Sequence, residues 1–481
     1  MRVALACWML LAFAIPNALH AAGEQRVPAR KVRSNAQEPI RVAQADADID
    51  VLPLSKDELF GTDAPISGET SASAASAPRV QIRGFSQLTT AYTYASPTHW
   101  SRGVLRTQVE ALGEFSPVLK WKASARLDID PIIGSSNFYP DEVSDDQRYE
   151  FMVRETYLDT TLGDWEFRLG RQQIVWGEVV GLFFADVVSA RDLRDFILPE
   201  FDIMRIPQWA ARAEYFGTNS HLELIWIPFP SYDDIGKPGA EFYPLRLPPI
   251  PGVQQHFLSD DTPARTLSNT NYGVRASHLY KGWDMAAFYY SSMSSYPTFY
   301  RQMVAGPNPT VEFTPRHDRI WQAGATVTKD FASVVLRGES IFTANRGFEV
   351  TDMSDPDGVV EQDTLDYILS FDFVPFRDGH LNVQAFQRVF FDHDSNILFD
   401  RLETGLSLLI GGKLSPRWEP EFLIIQNINQ NDRMLRPRIK WYPVQNATVI
   451  FGVDIFSGPD LSYFGRYDDR DRVYVEARYA F

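Results

Sequence analysis

The sequence predicts an all-β protein: a transmembrane antiparallel β-barrel of about 18 strands, or about 16 at the lower bound, preceded by a disordered arm. Three observations predict it. The segment Arg472 to Phe481 alternates polar and apolar residues and stops on an aromatic. From Val80 onward the chain breaks into segments of about 9 to 14 residues, many with the same period of two, as strands crossing a bilayer require. The links between those segments also sort into short and long in alternation.

Taken from its start, the sequence opens with Arg2, runs apolar from Val3 to Ile15, and reaches Pro16 and the small residues Ala18, Ala21 and Ala22. A positive end, an apolar middle and a small-residue cleavage site describe a secretory signal peptide over residues 1 to 22, removed on Sec-type export. Cys7 is the only cysteine and falls within it, so the exported chain has neither a disulfide nor a thiolate metal site. Beyond the signal no run of about 18 apolar residues occurs, so no helix is expected to cross a membrane. The net charge is −16, with 22% charged and 13% aromatic residues. Nucleic-acid phosphates would repel such a chain, and no nucleic-acid partner is expected.

Residues 23 to 79 are rich in Ala, Ser, Pro, Gln and charges, with a low-complexity run from Ser67 to Pro78. This composition buries too little apolar surface to order itself and reads as a periplasmic arm. Inside it, Ser55 and Glu58 have capping-box spacing and precede Leu59 and Phe60. Residues 50 to 60 are therefore either a short docking segment for a periplasmic protein or a chance cluster in the arm.

The barrel domain spans 80 to 481. Leu119, Trp121, Ala123, Ala125, Leu127 and Ile129 share one face of a strand, opposed by Lys120, Lys122, Ser124, Arg126, Asp128 and Asp130. Leu105, Thr107, Val109 and Ala111 likewise oppose Arg106, Gln108 and Glu110. Leu435, Pro437, Ile439 and Trp441 oppose Arg436, Arg438 and Lys440, and Glu419 and Glu421 of the preceding segment face the same way, as cross-strand partners would. A charge at mid-bilayer costs about 2–4 kcal/mol on the lipid side, so the charged faces point into the lumen. In the last strand Arg472, Glu476 and Arg478 line that lumen, while Tyr479 and Phe481 sit at the membrane boundary. One segment breaks the pattern: Glu155 falls on the apolar parity of Tyr149, Phe151, Val153 and Tyr157, which a β-bulge would explain. A second slip lies between Leu169 and Ile174.

Short links fall near Ser116 and Pro117, at Gly163, and at 217 to 220, 281 to 282, 329 to 330, 375 to 379, 411 to 416 and 442 to 446. At every other break come 96 to 101, 130 to 148, 177 to 208, 229 to 269, 293 to 316, 345 to 362, 392 to 399, 427 to 432 and 457 to 470. A barrel with short periplasmic turns and longer external loops sorts its links in this way. The even strand count leaves both ends of the barrel in the periplasm.

The third long loop, 177 to 208, is the chemically densest. Leading in from Leu169, Gly170, Arg171, Gln172 and Gln173, it carries Trp176, Glu178, Asp186, Arg191, Asp192, Arg194, Asp195 and Arg205, with Leu182, Phe183 and Phe184 as apolar anchors. Acids and bases facing one another in a narrow polar gap make a constriction that sorts solutes by charge. The same residues could equally form salt bridges that hold the loop in place. The run Gly170-Arg171-Gln172, the following Trp176-Gly177-Glu178, the stretch Asp186-Val187-Val188 with Asp192-Leu193-Arg194, and Arg205-Ile206-Pro207-Gln208-Trp209 resemble the proteobacterial outer-membrane family called domain of unknown function 1302. Ser189-Ala190 stands where that family commonly has Asn-Pro. The resemblance implies an outer-membrane barrel and carries little about substrate.

Two other features bear on function. The loop from Pro228 to Ser268 is rich in proline and aromatics, as a stiff lid over the lumen or an ordinary surface loop would be. His393, Asp394 and Ser395 are the best approach to a hydrolytic site, but three adjacent residues seldom converge on one point, and no nucleophile-elbow or zinc motif occurs. The sequence thus points to a channel for small polar or amphipathic solutes, without cofactor, metal or enzymatic activity. The alternative is an export or assembly component for lipid or hydrophobic cargo working with a periplasmic partner. In either case the surroundings are outer-membrane lipid, and biogenesis uses the barrel-assembly machinery.

Overall fold

The computed structural model describes residues 80–179, 181, 184–245 and 253–481. The expected signal segment, the arm with residues 50 to 60, and Leu182 and Phe183 lie outside the described residues. So do the prolines at 248, 249 and 251.

Eighteen strands form one antiparallel sheet, each paired with its neighbours in sequence. They are β1 Gln81–Thr93, β2 His99–Ser116, β3 Leu119–Ile129, β4 Tyr149–Leu162, β5 Trp165–Gln172 and β6 Gln208–Phe216. Next come β7 Ser220–Phe229, β8 Asn271–Tyr280, β9 Trp283–Met293, β10 Arg319–Asp330, β11 Val334–Glu349 and β12 Val359–Phe373. The rest are β13 Gly379–Phe391, β14 Leu402–Gly412, β15 Trp418–Asn427, β16 Asp432–Val444, β17 Ala447–Ser457 and β18 Arg472–Ala480. The sheet closes where β1 pairs with β18, from Phe85 opposite Ala480 to Thr93 opposite Arg472. At this seam Gly84 and Phe481 exchange two backbone hydrogen bonds of 2.9 Å. A closed sheet leaves no backbone group unpaired toward lipid.

Every expected short link is a tight turn, and the nine others gather at the opposite end of the barrel. Two links depart most from expectation. β11 and β12 run on past the expected break, so that link shrinks from 345–362 to 350–358. The third long loop begins earlier, at 173, because β5 stops at Gln172. This explains the slip in pattern: Ile174 has left the strand and packs, almost fully buried, inside the barrel.

The alternation places the faces as the residue types demand. Leu105, Val109, Leu127 and Ile129 are exposed on the outer surface, and Lys122, Ser124, Arg126 and Asp128 are buried inside. Glu155 marks a bulge. The β3–β4 register shifts between Ala123, opposite Thr156, and Ala125, opposite Val153, so Arg154 and Glu155 together face Ser124. Both then point inward, Glu155 to Lys122 at 2.8 Å. Beyond the bulge the parity inverts. Tyr157, expected on the lipid face with Tyr149, Phe151 and Val153, is buried under the Arg168 guanidinium at 4.1 Å. Asp130 also departs from expectation. It lies past the end of β3 and caps the short helix Pro131–Ser135, accepting from the Ile133 amide at 3.0 Å.

Candidate functional site

The link between β5 and β6, residues 173 to 207, folds into the barrel rather than over its rim, and two kinds of contact hold it there. The first is apolar. Ile174, Trp176, Ala185 and Val188 of the loop pack on Ala210, Ile225, Ile227, Phe288, Tyr290 and Ile341, which belong to β6, β7, β9 and β11. These strands therefore turn apolar side chains inward as well as outward. Trp176 is completely buried, and its indole N–H donates to Glu223 at 2.9 Å. Its ring lies over Gly273 of β8, where a Cβ would come within 2.7 Å. Only glycine permits that approach.

The second kind is ionic and runs around the wall. Glu339 of β11 accepts hydrogen bonds from three backbone amides of the loop: Glu178, Val179 at 2.7 Å and Ala185 at 2.7 Å. Glu178 reaches Arg275 of β8 at 3.0 Å. Arg126 of β3 donates to the Ile203 carbonyl at 2.9 Å and lies 3.5 Å from Asp192. Arg154 of β4 donates to the carbonyls of Asp202 and Arg205. Asp195 meets Arg102 of β2 at 2.8 Å, with Arg472 of β18 at 3.9 Å. Glu200 meets Arg478 at 3.3 Å.

Other bonds are internal to the loop. Arg205, almost fully buried, pairs with Asp186 at 2.8 Å, and Arg191 donates to the Asp186 carbonyl at 2.7 Å. Arg194 sits between Asp192 at 2.7 Å, Asp234 at 3.3 Å and Glu150 of β4. Burial would raise the Asp192 carboxyl, but Arg194, bonded to it, and the nearby Arg126 and Arg106 hold it well below the usual range. Asp234 goes the other way. Burial, reinforced by Asp192 and Asp146 against the opposing Arg194, pushes it up to about 6.

The sequence-derived loop residues are thus brought together, and almost every loop charge has an ionic partner on the wall or within the loop. The sequence reading did not single out the wall partners Arg102, Glu223, Arg275 and Glu339. An inward-facing charge on a lumen strand looks the same whether it meets water or a loop, so no local signal marks them.

The apolar contacts of the loop base are with β6–β11, and its tip, residues 195 to 200, reaches the opposite wall, where Phe196 and Leu198 pack near Ile425, Met434 and Phe456 of β15–β17. Beside the tip, between it and the wall, lies a cleft. Its wall comes from β1, β2 and β16–β18, and its lining includes Arg102, Arg106, Arg436, Arg438, Arg472 and Glu476. Each of three arginines is bound from behind: Arg106 to Asp128 at 2.7 Å, Arg436 to Asp454 at 2.8 Å, and Arg438 to Glu421. Lys440 shares Glu421 at 3.1 Å and reaches Glu419 at 3.4 Å, which is the expected cross-strand pairing. Arg472 shares Asp454 at 2.9 Å. Lys120 stands apart at the short-turn end, 3.7 Å from Glu114 and largely exposed.

Residues 231 to 245 fill the long-loop mouth. Phe242 packs with Phe196, Leu198, Phe456, Phe464 and Tyr467, joining this loop to the third loop, the wall and the last loop. Asp234 and the third loop exchange backbone bonds, Leu193 N–H to Asp234 O and Asp234 N–H to Arg191 O. Glu241 accepts from Thr93 and Tyr139 and meets His99 at 3.0 Å. His393 is elsewhere and structural: its Nε2 bonds the Phe399 carbonyl at 2.8 Å, and Asp394 accepts from the Asn396 amide.

A closed antiparallel sheet with apolar side chains outside and ionised ones within defines a transmembrane β-barrel. The chain belongs to the family described as Protein of unknown function (DUF1302), whose model matches residues 107–400. No curated protein matches the sequence. Among solved structures it is similar to OccK8 (OprE) of Pseudomonas aeruginosa, at 8% identity and a TM-score of 0.49, covering 84% of this chain and 98% of that one. It is also similar to the outer membrane protein opdK of Pseudomonas aeruginosa, at 7% identity and a TM-score of 0.48, over 83% and 99% of the two chains. The outer membrane channel DcaP of Acinetobacter baumannii matches at 9% identity and a TM-score of 0.42, over 84% and 97%.

Proposed function

We propose that the protein is an outer-membrane channel for small polar or amphipathic solutes, with the third long loop as its constriction. One observation carries this reading. The loop base is bound to β6–β11 and Phe196 and Leu198 of its tip pack on β15–β17, and the space left for a solute lies beside the tip, lined by β1, β2 and β16–β18. A loop meant only to plug the barrel would have no reason to leave five wall arginines lining a cavity beside its tip. Export through the Sec route and insertion by the barrel-assembly machinery, with Tyr479 and Phe481 as the recognised end, belong to the same proposal.

Single-channel recording in a planar bilayer tests it. Purified barrel whose folding is verified by heat-modifiable gel mobility should give discrete conductance steps. Replacing residues 194 to 200 by a short glycine-serine linker should enlarge those steps severalfold, because the tip narrows the path. Folded protein that conducts nothing, with or without the tip, overturns the reading.

A further inference from the structure

The cavity beside the loop tip has a chemical bias that the protein as a whole does not share. The chain carries a net charge of −16. The cavity lining carries five arginines against three carboxylates, Asp195, Glu200 and Glu476. The acids that orient Arg106, Arg436 and Arg438, namely Asp128, Asp454 and Glu421, do not line it. Each guanidinium is thus anchored by an acid outside the lining, which is how a fixed fork is prepared for a carboxylate or phosphate oxygen. Two donors on lining residues, Arg102 Nε and Arg472 Nη1, are buried without a hydrogen-bond acceptor. An unmet buried donor costs free energy that an incoming anion recovers.

The lining is not uniformly polar. Val104, Leu198 and Ile450 also contribute, together with the ring of Tyr474. An apolar strip facing a row of guanidinium groups suits a molecule with one charged end and one greasy end. A fully hydrated inorganic ion would gain nothing from the strip.

We infer that the cavity is a binding site for small amphipathic organic anions, with Arg106, Arg436 and Arg438 holding the anionic group and Val104, Leu198 and Ile450 receiving the apolar body. The inference builds on the channel reading and names the class of solute. Arg438 is the residue to change, because Glu421 keeps Lys440 as a partner at 3.1 Å when Arg438 is removed.

The test is titration calorimetry of the detergent-folded full-length protein with three probes of one shape: hexanoate, hexanamide and hexylammonium. Hexanoate should bind, and the amide and the ammonium should bind at least about tenfold more weakly, as expected when charge-assisted hydrogen bonds are lost. Arg438→Gln should weaken hexanoate about tenfold and leave heat-modifiable mobility unchanged. A variant that misfolds is replaced by Arg106→Lys, which keeps the charge but loses the fork and should weaken hexanoate severalfold. Absence of hexanoate binding to the folded wild type, equal binding of hexanamide, or wild-type affinity in a folded variant overturns the inference. Calorimetry does not depend on conductance, so a barrel that conducts yet ignores hexanoate loses this site alone.

Discussion

The Glu339 carboxylate, on the barrel wall, accepts a 2.7 Å hydrogen bond from the backbone amide of Val179 in the third long loop. Glu178 and Ala185 donate to the same carboxylate, so one side chain gathers both arms of the loop base. Glutamine at 339 offers one oxygen in place of two and turns an NH₂ toward backbone donors. Glu339→Gln should therefore cost about 1–3 kcal/mol where a donor is left unmet. In single-channel records the loss should appear as added open-channel noise, with far-ultraviolet circular dichroism unchanged. Quiet wild-type records from the variant would mean that Glu339 is not what steadies the loop.

Trp176 anchors the same base from the apolar side. Truncation to alanine removes a fully buried ring from between Gly273 and Tyr290 and leaves Glu223 without its indole donor. Loss of a large buried aromatic costs about 3–5 kcal/mol in a closely packed site. Trp176→Ala should lower the heat-modification temperature and open residues 173 to 190 to protease from the long-loop side. Trp176→Phe, which keeps most of the packing, should fall between the two.

The loop contact at Asp234 should respond to pH. Its folded value of about 6 lies above the ordinary carboxyl range near 4. Its favourable contribution is complete below about pH 4 and is lost as pH rises through about 6, since the folded state then holds a costly charge. Lowering pH from 7 to 5 should slow hydrogen exchange at the Leu193 and Asp234 amides, which bridge the two loops, beyond the intrinsic effect of pH. Asp192, held low by Arg194, should not titrate in that window. Asp234→Asn should show the slow exchange already at pH 7 and no further change at pH 5.

Gly84 is set by the seam. A Cβ there would meet the Gln108 carbonyl at 2.4 Å and the Phe481 ring at 3.0 Å. Gly84→Ala should slow closure, seen as a lag in the appearance of the heat-modifiable band during refolding into detergent micelles. Deletion of residues 23 to 78 makes a separate prediction. A simple pore keeps its conductance without them, and an export component that works through a partner loses its cellular function while the barrel still folds.

The architecture was legible in the sequence wherever turns are short and faces contrast. The strand from Leu119 to Ile129 and the pairing of Glu421 with Arg438 follow from alternation alone, since a lipid face tolerates no charge. The bulge at Arg154 and Glu155 was visible only as a fault in the pattern, and its effect on Tyr157 was not, because inversion of parity depends on what the partner strand offers at Ser124. The apolar inner wall was hidden for a related reason. Where Ile225, Ile227, Phe288 and Ile341 point inward, both faces of a strand are apolar and period two carries no direction. The loop residues could be named from their density of charge, yet their wall partners are scattered from β2 to β11 and on β18, at distances in sequence that no local pattern spans.

The seam at Gly84 and Phe481 also orders events in time. β1 is made first and can pair on one side at once, but its other edge has no partner until β18 and Phe481 arrive. Until then the molecule is a wide sheet with two bare margins, the form of β-structure most prone to capture by another chain. A net charge of −16 opposes such capture between copies of the chain.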